Sequence, residues 1–246
     1  MNLWMMIRIL LSLQQRIEMS EQTNSQIVSK LKTVPDLLYG YCDLREDPLF
    51  SYLKQEDYKS IIEKSFEIAD GTVSKLKGQR PGQVLRAHGV AIKMRRDTAG
   101  MSEVTIQSQI IYGRNQKVVE IFCDVLQQIG EVLNGAGIEI AYEDLVELHL
   151  AHETYHFFEM SNDSRTGELL GPVHYKKMFF TRSGTLASAS EIAAHYFTKK
   201  VCGIKFHPKM LDYVWMIKSG RMTEKDFLCR LAGWEEQEEN NHGYIV

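Results

Sequence analysis

A histidine pair with metal-binding spacing lies at residues 152 and 156. The run reads His152-Glu153-x-x-His156, and residues four apart lie on one face of a helix, so both imidazoles can bind a single metal ion. Glu153 lies about 100° further round the helix, where its carboxylate can reach a water at the metal without being a ligand. The motif therefore predicts a metal centre with a general base beside it.

A continuous helix is predicted around this motif. No Gly or Pro interrupts Tyr142 to Met160, and Glu143 and Asp144 suit the positive end of the helix dipole. One helical stripe begins apolar and turns polar at the motif: Leu145, Leu148, His152, Tyr155 and Glu159. We therefore expect one end of this helix to be anchored in a core and the other end to open to a site.

Glu191 is the candidate for a third metal ligand, because a catalytic zinc has three protein ligands and one open position. It lies in a second predicted helix, Ala189 to Val201, among small and apolar residues. Ala194 would let this helix approach the first one closely. Glu191 would then project towards His152 and His156.

These two segments together resemble the gluzincin metallopeptidases. The first half of the gluzincin pattern is matched by His152 to His156, and the second half, a glutamate on a later helix, is matched by Glu191. The run Glu191-x-x-Ala194-x-x-Phe197 is also similar to the second helix of the compact ImmA/IrrE-type members. The resemblance covers about residues 104–197. It implies an α+β minimal zincin fold, with a small twisted mixed sheet packed on the motif helix and the glutamate helix.

The resemblance further implies a zinc metallopeptidase. One Zn²⁺ per chain would be bound by His152, His156 and Glu191, with Glu153 as the general base in peptide hydrolysis. His195 stands where many gluzincins have an acidic residue that orients a ligand histidine, and where ImmA/IrrE-type members often have Asn. His195 could therefore accept a hydrogen bond from a ligand ring, or bind the metal itself.

Peptide hydrolysis also needs a hydrogen-bond donor for the oxyanion, besides the metal. Four side chains are candidates for this role: Tyr175, His174, Arg182 and His195. The alternating segment Val104 to Tyr112 predicts a half-buried strand, and we expect its edge to receive an extended peptide as an added strand. The expected partner is therefore a peptide or protein substrate.

Three alternatives concern the same helices. His149 lies one helical turn before His152; it could be a fourth ligand that makes the site structural, although a buried hydrogen-bonding role is favoured. A di-iron carboxylate bundle also uses Glu-x-x-His, but Ala194 stands where its second histidine is needed. A zinc-binding regulatory or interaction protein without catalysis stays open, because ligands alone say nothing about substrate access.

The composition is that of an ordinary globular protein. The 246 residues carry a net charge of −3 and no dense basic stripe, which argues against nucleic acid as the main partner. The four cysteines lie far apart without a Cys-x-x-Cys pair and predict reduced intracellular thiols. Residues 1–13 are apolar but contain Arg8 and are too short to span a bilayer; they predict a terminal helix, or extra residues before a start at Met19. We expect a cytoplasmic protein without a membrane partner.

Three segments are predicted along the chain. Residues 1–80 form a helical segment that could belong to the same domain, residues 81–205 form the zincin-like core, and residues 206–246 form C-terminal helices with an acidic tail. Within the core, Val84 to Met94 is β-prone. Val118 to Phe122 is either a returning strand or the first turn of a helix that runs to Leu133.

Overall fold

The computed structural model describes residues 28–96, 106–177 and 179–230, with only the backbone of Lys177. The helices are α1 (28–33), α2 (Asp36–Arg45), α3 (Tyr58–Val73), α4 (Pro81–Ala87), α5 (Cys123–Gly135), α6 (Tyr142–Ser161), α7 (Thr166–Leu169), α8 (Ser188–Cys202), α9 (Lys209–Lys218) and α10 (224–230). The strands are β1 (Ala91–Arg95), β2 (Ser108–Tyr112), β3 (Lys117–Phe122), β4 (Val173–Lys177) and β5 (Phe180–Gly184). The predicted terminal helix and acidic tail lie outside the described residues, as does the start of the predicted strand at Val104.

The main sheet has three strands in the order β1-β3-β2. Strand β1 runs parallel to β3 and β2 runs antiparallel to it, so the sheet is small and mixed. Val119 and Ile121 on β3 are fully buried, and Ser108, which pairs with Ile121, faces helix α6. The predicted α+β class with a small mixed sheet is confirmed.

The prediction that Val84 to Met94 is β-prone is wrong over its first half. Helix α4 begins at Pro81, whose ring favours the first helical position, and Gln83 accepts a hydrogen bond from the backbone N–H of Arg80. The apolar face of α4 packs against α6, and this burial outweighs the β-propensity of Val84 and Leu85. Gly89, at φ 73°, ends the turn after α4, and β1 follows.

For Val118 to Phe122 the sequence allows either a strand or the first turn of a helix, and the structure decides between them. This segment is strand β3, and the helix α5 begins at the next residue, Cys123. Gly135 ends α5 close to the predicted limit at Leu133. The strand alternative is therefore confirmed for Val118 to Phe122, and the helix begins only after this segment.

The two helices with the candidate ligands agree with prediction. Helix α6 covers Tyr142–Ser161 against a predicted Tyr142 to Met160, and α8 covers Ser188–Cys202 against a predicted Ala189 to Val201. Ala193 and Ala194 on α8 are fully buried where the helix packs against its neighbours α3 and α6. Small side chains at these positions allow the close helix approach that the sequence predicts.

All three predicted segments contribute to one apolar core. It contains Tyr39 from α2, Ile121 from the sheet, Leu145 from α6, Phe197 from α8 and Tyr213 from α9. The N-terminal and C-terminal helices therefore pack on the same interior as the sheet. Within residues 28–96, 106–177 and 179–230, no helix is both long enough and apolar enough to cross a membrane.

A separate hairpin, β4–β5, lies between α7 and α8. Ser183 and Gly184 belong to β5, and Gly184 pairs with Val173. A Cβ atom at Gly184 would lie 2.9 Å from a methyl group of Leu49. Glycine there serves close packing of the hairpin base rather than a turn.

Candidate metal centre

Helices α6 and α8 bring His152, His156 and Glu191 together. The two Nε2 atoms of the histidines lie 3.1 Å apart. The Nε2 atom of His152 lies 3.3 Å from Oε2 of Glu191, and the Nε2 atom of His156 lies 3.4 Å from Oε1 of Glu191. All three side chains therefore direct donor atoms at one point, as the motif spacing and the predicted third ligand require.

The separations of these atoms fit a tetrahedral metal. Ligand atoms about 2.0–2.1 Å from zinc at tetrahedral angles lie about 3.3 Å from one another. Among the described residues, no fourth His, Cys, Asp or Glu joins this cluster. The Glu191 side chain is 50% exposed, whereas those of His152 and His156 are 20% and 13% exposed. The cluster is thus enclosed on the histidine side and open on one side.

The hydrogen bonding of His156 shows that a positive charge belongs inside the cluster. Its Nδ1 lies 3.1 Å from Oε2 of Glu159 and donates to it. In a neutral ring, Nε2 would then direct a lone pair at the Glu191 carboxylate, which is also an acceptor. Burial alone would lower the pKa of His156, but the hydrogen bonds to Glu159 and Glu191 raise it to about 10. A proton or a metal cation is therefore needed between these groups.

The carboxylate of Glu191 responds to the same charges. Burial would raise its pKa, but hydrogen bonds from His152 and His156 hold that pKa well below its usual range. Glu191 is therefore an anion at neutral pH. Two imidazoles and one carboxylate are a donor set that suits zinc.

Glu159 accepts the hydrogen bond of His156 and is itself held by neighbouring residues. Its Oε1 accepts hydrogen bonds from the backbone N–H of Thr166 (2.7 Å), from the Thr166 hydroxyl (2.6 Å) and from the Ser190 hydroxyl (2.9 Å). Burial raises the pKa of Glu159, but the bonds from His156 and Thr166 lower it below its ordinary value. Glu159 has no role among the predictions from sequence, although its position three residues after His156 places it on the same helical face.

Glu153 lies beside the cluster and is 4% exposed. Its Oε1 accepts a hydrogen bond of 2.6 Å from the hydroxyl of Ser108, the first residue of β2. This bond holds one oxygen of the carboxylate against the sheet. The contact of Ser108 with Glu153 is also not predicted from the sequence, because the two residues are 45 positions apart.

A groove of about 280 Å³ borders the cluster. Its lining residues come from the beginning of β2 and the two residues before it, from α6 and α8, and from the beginning of α9. The lining residues that could act on a ligand are His152, Glu153, Glu191, His195, Lys209 and Asp212. The candidate metal ligands and the candidate base therefore share one accessible space.

His149 has the buried hydrogen-bonding role that the sequence favours. Its Nδ1 lies 2.7 Å from the carbonyl oxygen of Leu145, and its Nε2 lies 2.7 Å from Oε1 of Gln107. The Gln107 amide in turn donates to Asp212 at 2.8 Å. Burial lowers the pKa of His149. Both nitrogens of His149 are occupied by these contacts, and it does not join the metal cluster.

His195 lines the groove, but its Nδ1 is directed at Asp43 rather than at the metal cluster. Its Nδ1 lies 3.0 Å from Oδ2 of Asp43, and its ring centroid lies 5.0 Å from that of His152. Burial lowers the pKa of His195, but Asp43 outweighs burial and raises it. Neither of the two predicted roles, metal ligand or acceptor from a ligand ring, is seen in these contacts.

The other three oxyanion candidates lie on the β4–β5 hairpin and do not line the groove. The Tyr175 ring packs against Tyr52 with centroids 4.6 Å apart, and His174 and Arg182 are exposed. The structure does not bring Tyr175 to the groove, because the hairpin packs against the segment at Phe50–Tyr52. Of the four candidates, only His195 borders the groove.

The four cysteines also differ in environment, although all lie in described residues and none forms a disulfide. Burial raises the pKa of the Cys42 thiol to about 11 and that of the Cys202 thiol to about 12, so both are protonated at neutral pH. No family model matches the chain, and neither a curated protein nor a solved structure is significantly similar to it. The residues of the site are therefore the basis for assigning its chemistry.

Proposed function

We propose that this protein is a zinc-dependent metallopeptidase with a minimal zincin fold, similar to the gluzincins. The observation that carries the proposal is the convergence of His152, His156 and Glu191, with Glu153 beside them in the same groove. A small mixed sheet on helix α6, with α8 packed alongside, is the arrangement that such a fold requires. His152, His156 and Glu191 would hold one Zn²⁺, with Glu159 orienting His156.

Zinc held by His152, His156 and Glu191 would supply a Lewis acid and lower the pKa of the attacking water. Glu153 accepts a proton from the attacking water and delivers it to the leaving amine. The hydrogen bond from Ser108 holds Oε1 of Glu153, whereas Oε2 has no hydrogen-bond partner among the described residues and is free to accept the proton. Because Glu153 is buried beside the groove, its carboxylate acts in surroundings of low dielectric constant, where its charge has a strong effect.

His195 is the proposed hydrogen-bond donor to the oxyanion. Its Nδ1 is bound by Asp43, and its Nε2 has no hydrogen-bond partner among the described residues. Asp43 also raises the pKa of His195, which favours the form with a hydrogen on both nitrogens. A donor in the groove wall can stabilise charge that develops on the substrate carbonyl oxygen.

An extended peptide is the substrate form that suits the groove. Strand β2 lies at the edge of the sheet and pairs with β3 alone in the part of the chain that the structure describes. Ile106, Gln107 and Ser108, at the start of this strand, line the groove. A peptide added along β2 would have its backbone held by the strand and its scissile bond beside Glu153.

The zinc content of the purified protein, with three variants, tests this proposal. We expect about one zinc per chain, lost in His152→Ala and in Glu191→Ala, because each variant leaves two ligands. Glu153→Gln should keep its zinc and lose peptide hydrolysis by about 10²–10⁴-fold, measured on a library of quenched fluorescent peptides. Glu143→Gln, an exposed position on the same helix, is the matched control and should behave as the wild type.

Three results would count against the proposal. Zinc retained by both His152→Ala and Glu191→Ala would show that the metal, if any, binds elsewhere. Stoichiometric zinc without hydrolysis by the wild-type protein would favour the alternative function, a zinc-binding regulatory or interaction protein. Full activity of Glu153→Gln would remove Glu153 from the mechanism.

A further inference from the structure

Helix α2 carries a buried carboxylate, Asp43, that contacts the groove residue His195. Asp43 is 3% exposed, and its two oxygens have different partners. Oδ2 accepts a hydrogen bond from Nδ1 of His195 on α8, and Oδ1 pairs with Nζ of Lys209 on α9, each at 3.0 Å. Helix α2 therefore meets α8 and α9, which come much later in the chain, at one carboxylate.

The contact with Asp43 determines which nitrogen of His195 is available to a ligand. An imidazole carries its two nitrogens on different sides of the ring, so a ring held by Nδ1 at a buried carboxylate presents Nε2 elsewhere. His195 lines the groove and has no other hydrogen-bond partner among the described residues. Without Asp43, a half-turn about χ2 would place Cε1 where Nε2 lies and Cδ2 where Nδ1 lies, because that torsion is broad for histidine.

Lys209 explains how the carboxylate stays charged in the interior. An unpaired buried carboxylate is strongly disfavoured, and a charged partner with good hydrogen-bond geometry compensates for its burial. Burial would raise the pKa of Asp43, but Lys209 and His195 together hold it well below its ordinary value. The side chain of Lys209 is itself only 13% exposed. Asp43 is therefore a fixed anion.

We infer that Asp43 is a positioning residue of the hydrolytic site: it holds the ring of His195 with Nε2 facing the groove, and helix α2 is thereby part of that site. The inference rests on the proposed function for its consequence in catalysis. The orientation itself rests on the contacts of Asp43 alone. It gives the N-terminal helical segment a function in the chemistry, in addition to its share of the core.

A second ion pair between the same helices provides a matched control. Asp36, also on α2, pairs with Nζ of Lys199 on α8 at 2.7 Å. The side chains of Asp36 and Lys199 are each about one quarter exposed, and neither lines the groove. Asp36→Asn therefore weakens the attachment of α2 to α8 without a contact to His195.

Kinetics on the zinc-loaded protein test the inference through a double-mutant cycle. We expect Asp43→Asn and His195→Ala each to lower kcat by about 10–100-fold, with KM changed by less than about threefold. The double variant should be no slower than His195→Ala alone, because Asp43 acts through that ring. Asp36→Asn should keep kcat within about twofold of the wild type. Multiplying losses in the double variant, or an equal loss in Asp36→Asn, would show a merely structural role and overturn the inference.

A spectroscopic measurement keeps the test decisive if Asp43→Asn does not fold. Long-range ¹H–¹⁵N spectra of the imidazoles in the wild-type chain should show a slowly exchanging hydrogen on Nδ1 of His195, identified by its loss in His195→Ala. A His195 ring with no hydrogen on Nδ1 would overturn the inference without any variant at Asp43. If the wild type shows this hydrogen but hydrolyses no peptide, the proposed function fails and the orientation by Asp43 stands.

Discussion

The metal centre between α6 and α8 and the β4–β5 hairpin both carry residues of types that could do chemistry. Only at the metal centre are such side chains held by buried hydrogen-bond partners. Behind His156 lies Glu159, which is itself held by three hydrogen bonds from Thr166 and Ser190. On the hairpin, Phe179 and Phe180 are 96% and 67% exposed, and Tyr175 has a ring contact rather than a polar partner. The two regions differ in what fixes the side chains.

The difference teaches that a residue type becomes a site only where its geometry is determined by buried partners. A polar side chain on an exposed strand exchanges rotamers in water, since water offers hydrogen bonds in every orientation. In the interior, an unpaired polar atom is costly, so one orientation is strongly preferred. Glu159, Ser108 and Asp43 supply this restraint at the centre, and five predictions test the contrast between the two regions.

The largest expected effect is a comparison of one histidine from each region. His156→Ala should weaken zinc binding by more than about a hundredfold, because it removes a ligand rather than an outer-shell partner. His174→Ala, an exposed histidine of the hairpin, should leave zinc affinity within about twofold. Competition with a chromophoric chelator measures both. Equal losses in the two variants would erase the distinction between the regions.

Next in size is the effect of the support behind His156. Glu159→Gln should lower zinc affinity by about 10–100-fold, since it weakens the bond that orients the ring and removes its charge. The control is Glu168→Gln, because the exposed Glu168 accepts a hydrogen bond only from the backbone of Arg165 in the adjacent turn. Chelator competition on both variants decides the matter. Wild-type affinity in Glu159→Gln would show that the ring is held by other contacts.

The pH dependence of zinc binding should also distinguish the centre. In the metal-free protein the pKa of His156 is raised from 6.5 to about 10, so at neutral pH zinc must displace a proton from this ring. The apparent affinity should then rise by about tenfold per pH unit from pH 7 towards pH 10 for one displaced proton. Calorimetry in buffers of different ionisation enthalpy measures the proton release. Binding independent of pH would contradict the assignment of His156 as a ligand.

The same shift has the opposite sign for the stability of the metal-free protein. A group whose pKa is raised on folding stabilises the folded state fully below its unfolded pKa, near 6.5 for His156, and the contribution is lost as pH rises to about 10. The free energy of unfolding of zinc-free protein should therefore fall over this window, as urea titrations would show. In His156→Ala this part of the pH dependence should be absent.

The smallest effect is expected on the hairpin. Tyr175→Phe and Arg182→Gln should each leave kcat/KM within about twofold of the wild type, because neither side chain lines the groove. Steady-state kinetics on the best peptide substrate provides the measurement. A loss above about tenfold in either variant would mean that the hairpin reaches the substrate, and the contrast between the regions would no longer hold.

Prediction from sequence succeeded where the determining contacts are local. Helices α6 and α8 were placed within one residue at each end, because uninterrupted helical periodicity and terminal residues act over a few positions. It failed at Val84 to Ala87, where a strand propensity was overridden by a proline-initiated helix packing on α6. It also left Val118 to Phe122 undecided, because a short apolar run suits a strand or a helix.

The sequence by itself determined the spacing of His152, Glu153 and His156, because helical geometry converts a separation of four residues into a shared face. Only the tertiary structure decided what stands behind and beside them. Asp43 reaches His195 across 152 residues and Ser108 reaches Glu153 across 45. Such contacts depend on how all the helices pack around one core, and no local pattern encodes that packing. The same packing took Tyr175 out of the groove and left His195 in it.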